Sequence, residues 1–173
     1  MTNRTPSQTV GPFFHEALRW KDAACVTFAE PGERVVVAGR LLDGAGEPVA
    51  DALVETWQRA PTGRTPAPAT GAANPHGFGR TQSGADGAFR IETLMPGGET
   101  PHLEVAILAR GLLKALRTRV YLATEAQARA DPDLAPIAGS QRIATLIASA
   151  EGGGQFRWDV RLQGDGETVF FAA

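Results

Sequence analysis

Cys25 is the single cysteine in 173 residues, which excludes an internal disulfide and fits a reducing compartment. No apolar run is long enough to cross a bilayer, and the opening MTNRTPSQTV lacks the charged-then-apolar order of a secretion signal. These absences predict a soluble cytoplasmic protein. Neither sign of charge is in excess: a net charge of −2 argues against the basic field that nucleic acid or an anionic membrane would attract. Charged residues are only 21% of the chain, thin for a surface that faces water everywhere, which hints at a covering partner. The usual nucleophile settings are missing as well. Ser7, Ser83, Ser140 and Ser149 lack a glycine-flanked strand-to-helix turn, and Cys25 has no histidine beside it. Gly152-Gly153-Gly154 falls between two strand-like runs rather than ahead of a helix, so it is no phosphate loop.

What the chain has is turns: 20 glycines and 12 prolines, more than long helices would tolerate. Its length suits one domain spanning 1–173, with residues 1–20 as an N-terminal arm. The arm carries Pro6, Gly11 and Pro12, then an apolar cluster of Phe13, Phe14, Leu18 and Trp20. Such an anchor docks either on its own domain or on a neighbouring chain. A short helix is expected around Asp22–Cys25. The stretch Arg34–Gln58 reads as a hairpin, with Val35–Leu42 and Val49–Trp57 joined through Asp43-Gly44-Ala45-Gly46, and Trp57 as a core residue. Arg59–Ser83 has no periodicity and reads as a long loop. Strands are expected at Ala88–Leu94, with Phe89 and Ile91 inward, at His102–Ala109 and at Ala115–Leu122. Thr124 caps a helix reaching Asp131. Pro132 and Pro136 enforce a turn. Arg142–Ser149 and Gln155–Leu162 read as a second hairpin, and Thr168–Phe171 as a last strand. The fold class is all-β, a β-sandwich with long loops and minor helix.

His102 and Glu104 stand at i and i+2, on one face of a strand, a sensible pair of donors for a non-haem metal. Further ligands would be needed, and Tyr121 is the sole tyrosine. On residues alone the pair reads more readily as the polar edge of a sheet. A stand-alone binding module of transthyretin-like or carbohydrate-binding type remains open at this point, as does an independent metalloenzyme using His102, Glu104 and Tyr121.

The literal strings narrow this. VVVAGRLLDGAGEPVADALVETWQRAPTGR, the amino-terminal TPSQTVGPFF and the closing LQGDGETVFF resemble the intradiol ring-cleavage dioxygenases, and among them the non-metal α chains of αβ enzymes. That family holds ferric iron through two tyrosines and two histidines. At the corresponding places this chain has Thr65 after Gly63-Arg64, no tyrosine between Met95 and Pro101, and His102-Leu103-Glu104 in place of His-x-His. The resemblance therefore implies an α chain without iron, Fe(III) being bound by a partner β chain, in a hetero-oligomer of αβ units acting on 3,4-dihydroxybenzoate and O2. It also implies a substrate pocket at the αβ interface, walled by Thr9, Gly11 and Pro12 of the arm, with Arg142 near its mouth. Gly11 would let backbone approach a flat ring, and Arg142 would offer charge-assisted hydrogen bonds to a carboxylate. No catalytic residue and no metal ligand is assigned to this chain. Phe13 stands where related chains carry tyrosine.

Overall fold

A computed structural model describes residues 10–11, 13–18, 23–28, 30–66 and 77–172. Their order is α1 (Phe14–Ala17), β1 (Arg34–Leu42), β2 (Leu53–Gln58), β3 (Phe78–Gln82), β4 (Ala88–Leu94), β5 (His102–Leu108), β6 (Leu116–Tyr121) and α2 (Glu125–Arg129). Two 3-10 turns follow, Pro132–Ile137 and Gln141–Leu146, then β7 (Ser149–Gly152), β8 (Gln155–Arg157) and β9 (Val160–Arg161). One sheet runs β4-β1-β8-β7, with β9 also on β1; the other runs β3-β2-β5-β6. The all-β sandwich is thus present. Among the described residues no helix is long and apolar enough to cross a membrane.

Alternation along the strands builds the space between the sheets. Val35, Val37 and Leu41 of β1, Phe89 and Ile91 of β4, and Leu103, Val105 and Ile107 of β5 all point into one cluster. A second, smaller cluster lies on the outer face of the other sheet. There Tyr121 is covered by Ala128, Leu134, Ile143, Leu146 and Val169. Polar groups tie the two sheets together at Gln58, whose amide donates to the Leu94 carbonyl at 2.8 Å and accepts from the Thr93 hydroxyl at 2.6 Å.

The expected hairpin between β1 and β2 does not form. The turn after Leu42 closes locally, with Gly46 N–H on the Asp43 carbonyl and a single bridge from Leu42 to Pro48. The chain then crosses to the other sheet. Asp51 makes that crossing with φ at 61°, a left-handed conformation that Asp tolerates better than most residues. Its carboxylate is held by Gln82 at 3.0 Å and Arg110 at 2.7 Å. Buried Ser83 completes the corner, accepting from Ala52 N–H and donating to the Val49 carbonyl. Trp57 consequently lies on the outer face of β2, 43% exposed, and not in the core.

Four further expectations are corrected. The 59–83 stretch contains β3, paired with β2 from Leu53↔Gln82 to Trp57↔Phe78. Arg142 is not on a hairpin strand: Gln141–Leu146 is a 3-10 turn capped by the Ser140 hydroxyl. Ile143 and Leu146 are three apart and so share one side of a three-residue turn, and both are buried. Only Ser149–Gly152 and Gln155–Arg157 form the second hairpin. Residues 168–171 contribute one bridge, Arg117↔Phe171, rather than a strand. Ala23 and Ala24 form a turn leading to a bridge between Cys25 and Glu92, in place of the expected short helix. The capped helix after Thr124 is present, with reciprocal Thr124 and Gln127 bonds. In the arm, Phe13 is 71% exposed while Phe14 is buried.

β1 is saturated on both edges: antiparallel to β4 along its length, parallel to β8 at Val36–Ala38 and parallel to β9 at Leu41–Leu42. Between those parallel segments Trp158 N–H donates to the Ala38 carbonyl at 2.9 Å, and Arg40 N–H to the Asp159 carboxylate at 2.8 Å. A Cβ on Gly39 would sit 1.7 Å from the Trp158 carbonyl oxygen. Gly39→Ala therefore has to push the β8–β9 segment off β1, and should destabilise the chain by more than about 3 kcal/mol in urea unfolding. Gly139→Ala, where an added Cβ meets nothing within 4 Å, should stay within about 0.5 kcal/mol of wild type.

Candidate functional site

The outward faces of β5 and β6 meet a loop, the start of the helical cover and the exposed end of β2. They enclose a cavity of about 720 Å³, with Trp57, Thr65, Pro66, Thr100, His102, Glu104, Arg119 and Asp133 in its wall. The antiparallel register sets this up by pairing His102 with Tyr121 and Glu104 with Arg119. Thr65 and Glu104, two of the positions read as altered metal-ligand places, are brought to this one cavity together with His102, the histidine that is kept. Trp57 forms its aromatic side, tilted against Phe78 with ring centroids 5.2 Å apart.

Arg119 is the centre of the polar wall. Its guanidinium donates to Glu104 at 2.7 Å, to Asp133 at 2.7 Å and to Asp131 at 3.3 Å, and reaches the Tyr121 hydroxyl at 3.4 Å. It also lies over the Phe171 ring, 5.5 Å from the centroid. The Tyr121 hydroxyl donates to Asp131 at 2.8 Å. Asp131 in turn accepts from Asp133 N–H, capping the 3-10 turn that begins at Pro132. His102 Nδ1 lies 2.7 Å from the Thr100 carbonyl and so carries the proton toward it; Nε2 faces Glu104 at 3.6 Å.

Burial opposes the charge of Arg119, but the Tyr121 hydroxyl, Asp133 and Glu104 outweigh it and hold its pKa above the ordinary value. Burial likewise works against Glu104, yet His102 and Arg119 keep that carboxyl below its usual range. Asp131 is lowered in the same way, its burial outweighed by the Asp133 N–H, the Tyr121 hydroxyl and Arg119. Burial pushes the Tyr121 hydroxyl up, Arg119 pulls it down, and the bond to Asp131 pushes it up further.

These donors do not fit a ferric ion held as the family holds it. Threonine at 65 cannot stand in for a tyrosinate, because its alkoxide is far too basic at neutral pH. The Glu104 carboxylate is already neutralised by a guanidinium, and a cation beside a ligand set repels a metal. Among the described residues no group of three or more His, Cys, Asp and Glu side chains is arranged to hold a metal ion.

The residues expected at a substrate pocket are placed elsewhere or lie outside the described residues. Thr9 and Pro12 are outside them. Gly11 is exposed, and its carbonyl accepts from Phe14 N–H at 3.2 Å. Arg142 is exposed, ion-paired with Glu167 at 3.3 Å, and does not line the cavity around Arg119. The residues that sequence reading missed are Arg119, Asp131 and Asp133. A turn centred at Gly111 fixes the register that sets Glu104 opposite Arg119, so that pair was available in the sequence. The approach of Asp131 and Asp133 was not.

The pKa directions give a pH profile. Glu104 and Asp131 are lowered on folding, so their contribution is present above about pH 4 and is lost as pH falls through their folded values. Tyr121 is raised, so its contribution is present below about pH 10 and is lost as pH climbs past that point. Thermal melts should show a plateau near neutrality with a fall on each side. Asp131→Asn should shallow the acid flank and Tyr121→Phe the alkaline one. An alkaline flank equally steep in Tyr121→Phe would contradict the assignment.

Comparison with known proteins agrees with this geometry. A family model described as Dioxygenase matches residues 10–101. A protocatechuate 3,4-dioxygenase alpha chain from Burkholderia cepacia is 39% identical over 190 aligned positions, covering 97% of this chain and 96% of that one. The beta chain of the same name and organism is 37% identical over 99 positions, 53% of this chain and 40% of that one. Among solved structures, the dioxygenase domain of a dioxygenase and carbohydrate-binding fusion from Streptomyces sp. SirexAA-E superposes with a TM-score of 0.60 at 26% identity, covering 94% and 99% of the two chains. A two-sheet sandwich, a family model over residues 10–101 and an end-to-end match to an alpha chain lead to one assignment: the chain belongs to the intradiol ring-cleavage dioxygenases.

Proposed function

We propose that this chain is the non-metal α subunit of a protocatechuate 3,4-dioxygenase. The αβ enzyme would open the ring of 3,4-dihydroxybenzoate between its hydroxyl-bearing carbons, consuming O2 and forming 3-carboxy-cis,cis-muconate. The observation that carries this reading is the match to an α chain along nearly the whole of both sequences, against a match to the β chain over about half of this one. The misfit of Thr65 and of the Glu104–Arg119 pair to iron supports placing Fe(III) on the β chain. The redox chemistry belongs there. The α chain's contribution is placement, a catalytic contribution in its own right because correct orientation of reactants lowers the barrier.

In this reading Thr9, Gly11 and Pro12 wall the substrate pocket at the αβ interface. An added Cβ at Gly11 meets none of the described residues within 4 Å, which leaves its backbone open to approach by a ring. Arg142 reads the substrate carboxylate. Its side chain is 57% exposed and its ion pair to Glu167 is long at 3.3 Å, so a carboxylate arriving from a partner-bound substrate can compete for the guanidinium.

Produced with its β chain, the complex should contain iron in proportion to β, consume O2 with protocatechuate and show a visible tyrosinate-to-iron band. The α chain purified alone should show neither iron nor the band. An iron-bearing, coloured α chain by itself would overturn the proposal.

Arg142→Ala in the αβ enzyme should lower kcat/KM for protocatechuate by roughly ten- to a hundredfold and spare catechol, which has no carboxylate. Iron content should not change. Arg157→Ala, an exposed arginine paired with Asp159, serves as control and should match wild type. Equal losses for both substrates would assign Arg142 to the interface rather than to the substrate.

A further inference from the structure

Arg142 and Glu167 stand 25 positions apart, yet the backbone under each is fixed relative to the other. The Ser140 hydroxyl accepts from Arg142 N–H at 3.1 Å, and the Arg142 carbonyl accepts from the Thr145 hydroxyl at 2.7 Å. The same Thr145 oxygen accepts from Val169 N–H at 3.1 Å, two residues beyond Glu167. Glu167 N–H closes its own turn on the Gly164 carbonyl, and the Thr168 hydroxyl accepts from Arg161 N–H at 3.0 Å. Thr145 is itself anchored, its carbonyl accepting from the indole of buried Trp158 at 2.9 Å. On this frame the two side chains stay in solvent, 57% and 39% exposed, and Glu167 meets the guanidinium through one nitrogen, Nη2, at 3.3 Å. A single long contact aims the guanidinium and leaves the rest of its planar fork for a second carboxylate.

We infer that Glu167 is a specificity-determining residue of the carboxylate subsite, acting through Arg142. The inference rests on the reading of Arg142 given under the proposed function. While no substrate is bound, Glu167 holds the guanidinium in place. Its negative charge then opposes the carboxylate that arrives, which must share or displace the contact. A catechol without a carboxylate is indifferent to that competition. Glu167 therefore lowers the preference for carboxylated catechols below what an unpaired arginine would give. The exposure of both partners sets the scale, because solvent and salt screen such a pair to an effect of a few fold.

The test uses the αβ enzyme, with kcat and KM measured for protocatechuate and catechol at fixed ionic strength. Glu167→Gln keeps an oxygen that can orient the guanidinium and removes the charge. It should raise the protocatechuate-to-catechol ratio of kcat/KM by roughly two- to fivefold. The change should lie in KM rather than kcat, and should shrink as salt is added. In an Arg142→Ala background most of that gain should vanish. Asp165→Asn, which removes a charge from the same exposed turn, should leave the ratio as it is. Three results would overturn the inference: an unchanged or lower ratio in Glu167→Gln, an equal gain in Asp165→Asn, or a full gain without Arg142. Arg142→Ala alone separates this inference from the reading beneath it. A ratio that Arg142→Ala lowers and Glu167→Gln does not move removes the role of Glu167 only. A ratio that Arg142→Ala leaves unchanged removes both.

Discussion

A single guanidinium joins the parts of this molecule that strand pairing alone would leave separate. β5 and β6 are held by their ladder, and the end of the second 3-10 turn is tied to β6 by the Tyr121↔Ile147 bridge, but among the described residues no backbone bridge ties α2 or the first 3-10 turn to the sheet. Arg119 reaches from β6 to Glu104 on β5 and to Asp131 and Asp133 at the start of the cover. Tyr121, one pleat further along, is buried beneath that cover and bonds to the same Asp131. The polar contacts and the second apolar cluster therefore support one another: burial lowers the local dielectric that strengthens the charges, and the charges fix the turn whose Leu134 fills the cluster. The cavity beside them takes its shape from this arrangement.

How much of this was legible in the sequence depends on the length scale of the physics. Period-two alternation named the inward face of β4 correctly at Phe89 and Ile91, because the inside of a sandwich selects apolar side chains at every second residue. The Thr124 cap and the Pro132 turn were legible for the same kind of reason, being made of local hydrogen bonds and fixed φ. The failures are all non-local. A Gly-rich turn after Leu42 looks like a hairpin whether the next strand pairs with its predecessor or changes sheet; Asp51 and Ser83, far apart in sequence, decide it. Trp57 was assigned inward because large aromatics usually are, yet the crossing at Asp51 puts it on the outside. Ile143 and Leu146 fit a three-residue turn as well as a strand, and only the cluster under Tyr121 selects the turn.

The site divides along the same line. His102 and Glu104 could be found from spacing, and their place in a degenerate ligand set came from resemblance to a family. What they do instead of binding a metal required the register with β6 and the fold-back of Asp131 and Asp133. Composition gave no sign of it, since an arginine surrounded by acids contributes to net charge in the same way as one in solvent.

The saturation of β1 bears on how the chain reaches this state. Its second edge is occupied by segments near the C-terminus, with Arg40 bonded to Asp159 across 119 positions. A ribosome releases β1 early and β8 and β9 last. Until then one edge of the central strand is open, rich in valine and able to pair with any extended chain nearby. Completion of the sheet must wait until β9 has been made, and closing so long a loop is slow compared with forming the β5–β6 hairpin. The vulnerable period of this protein's life is therefore its synthesis rather than its folded state, and truncation near residue 155 would leave that edge permanently uncovered.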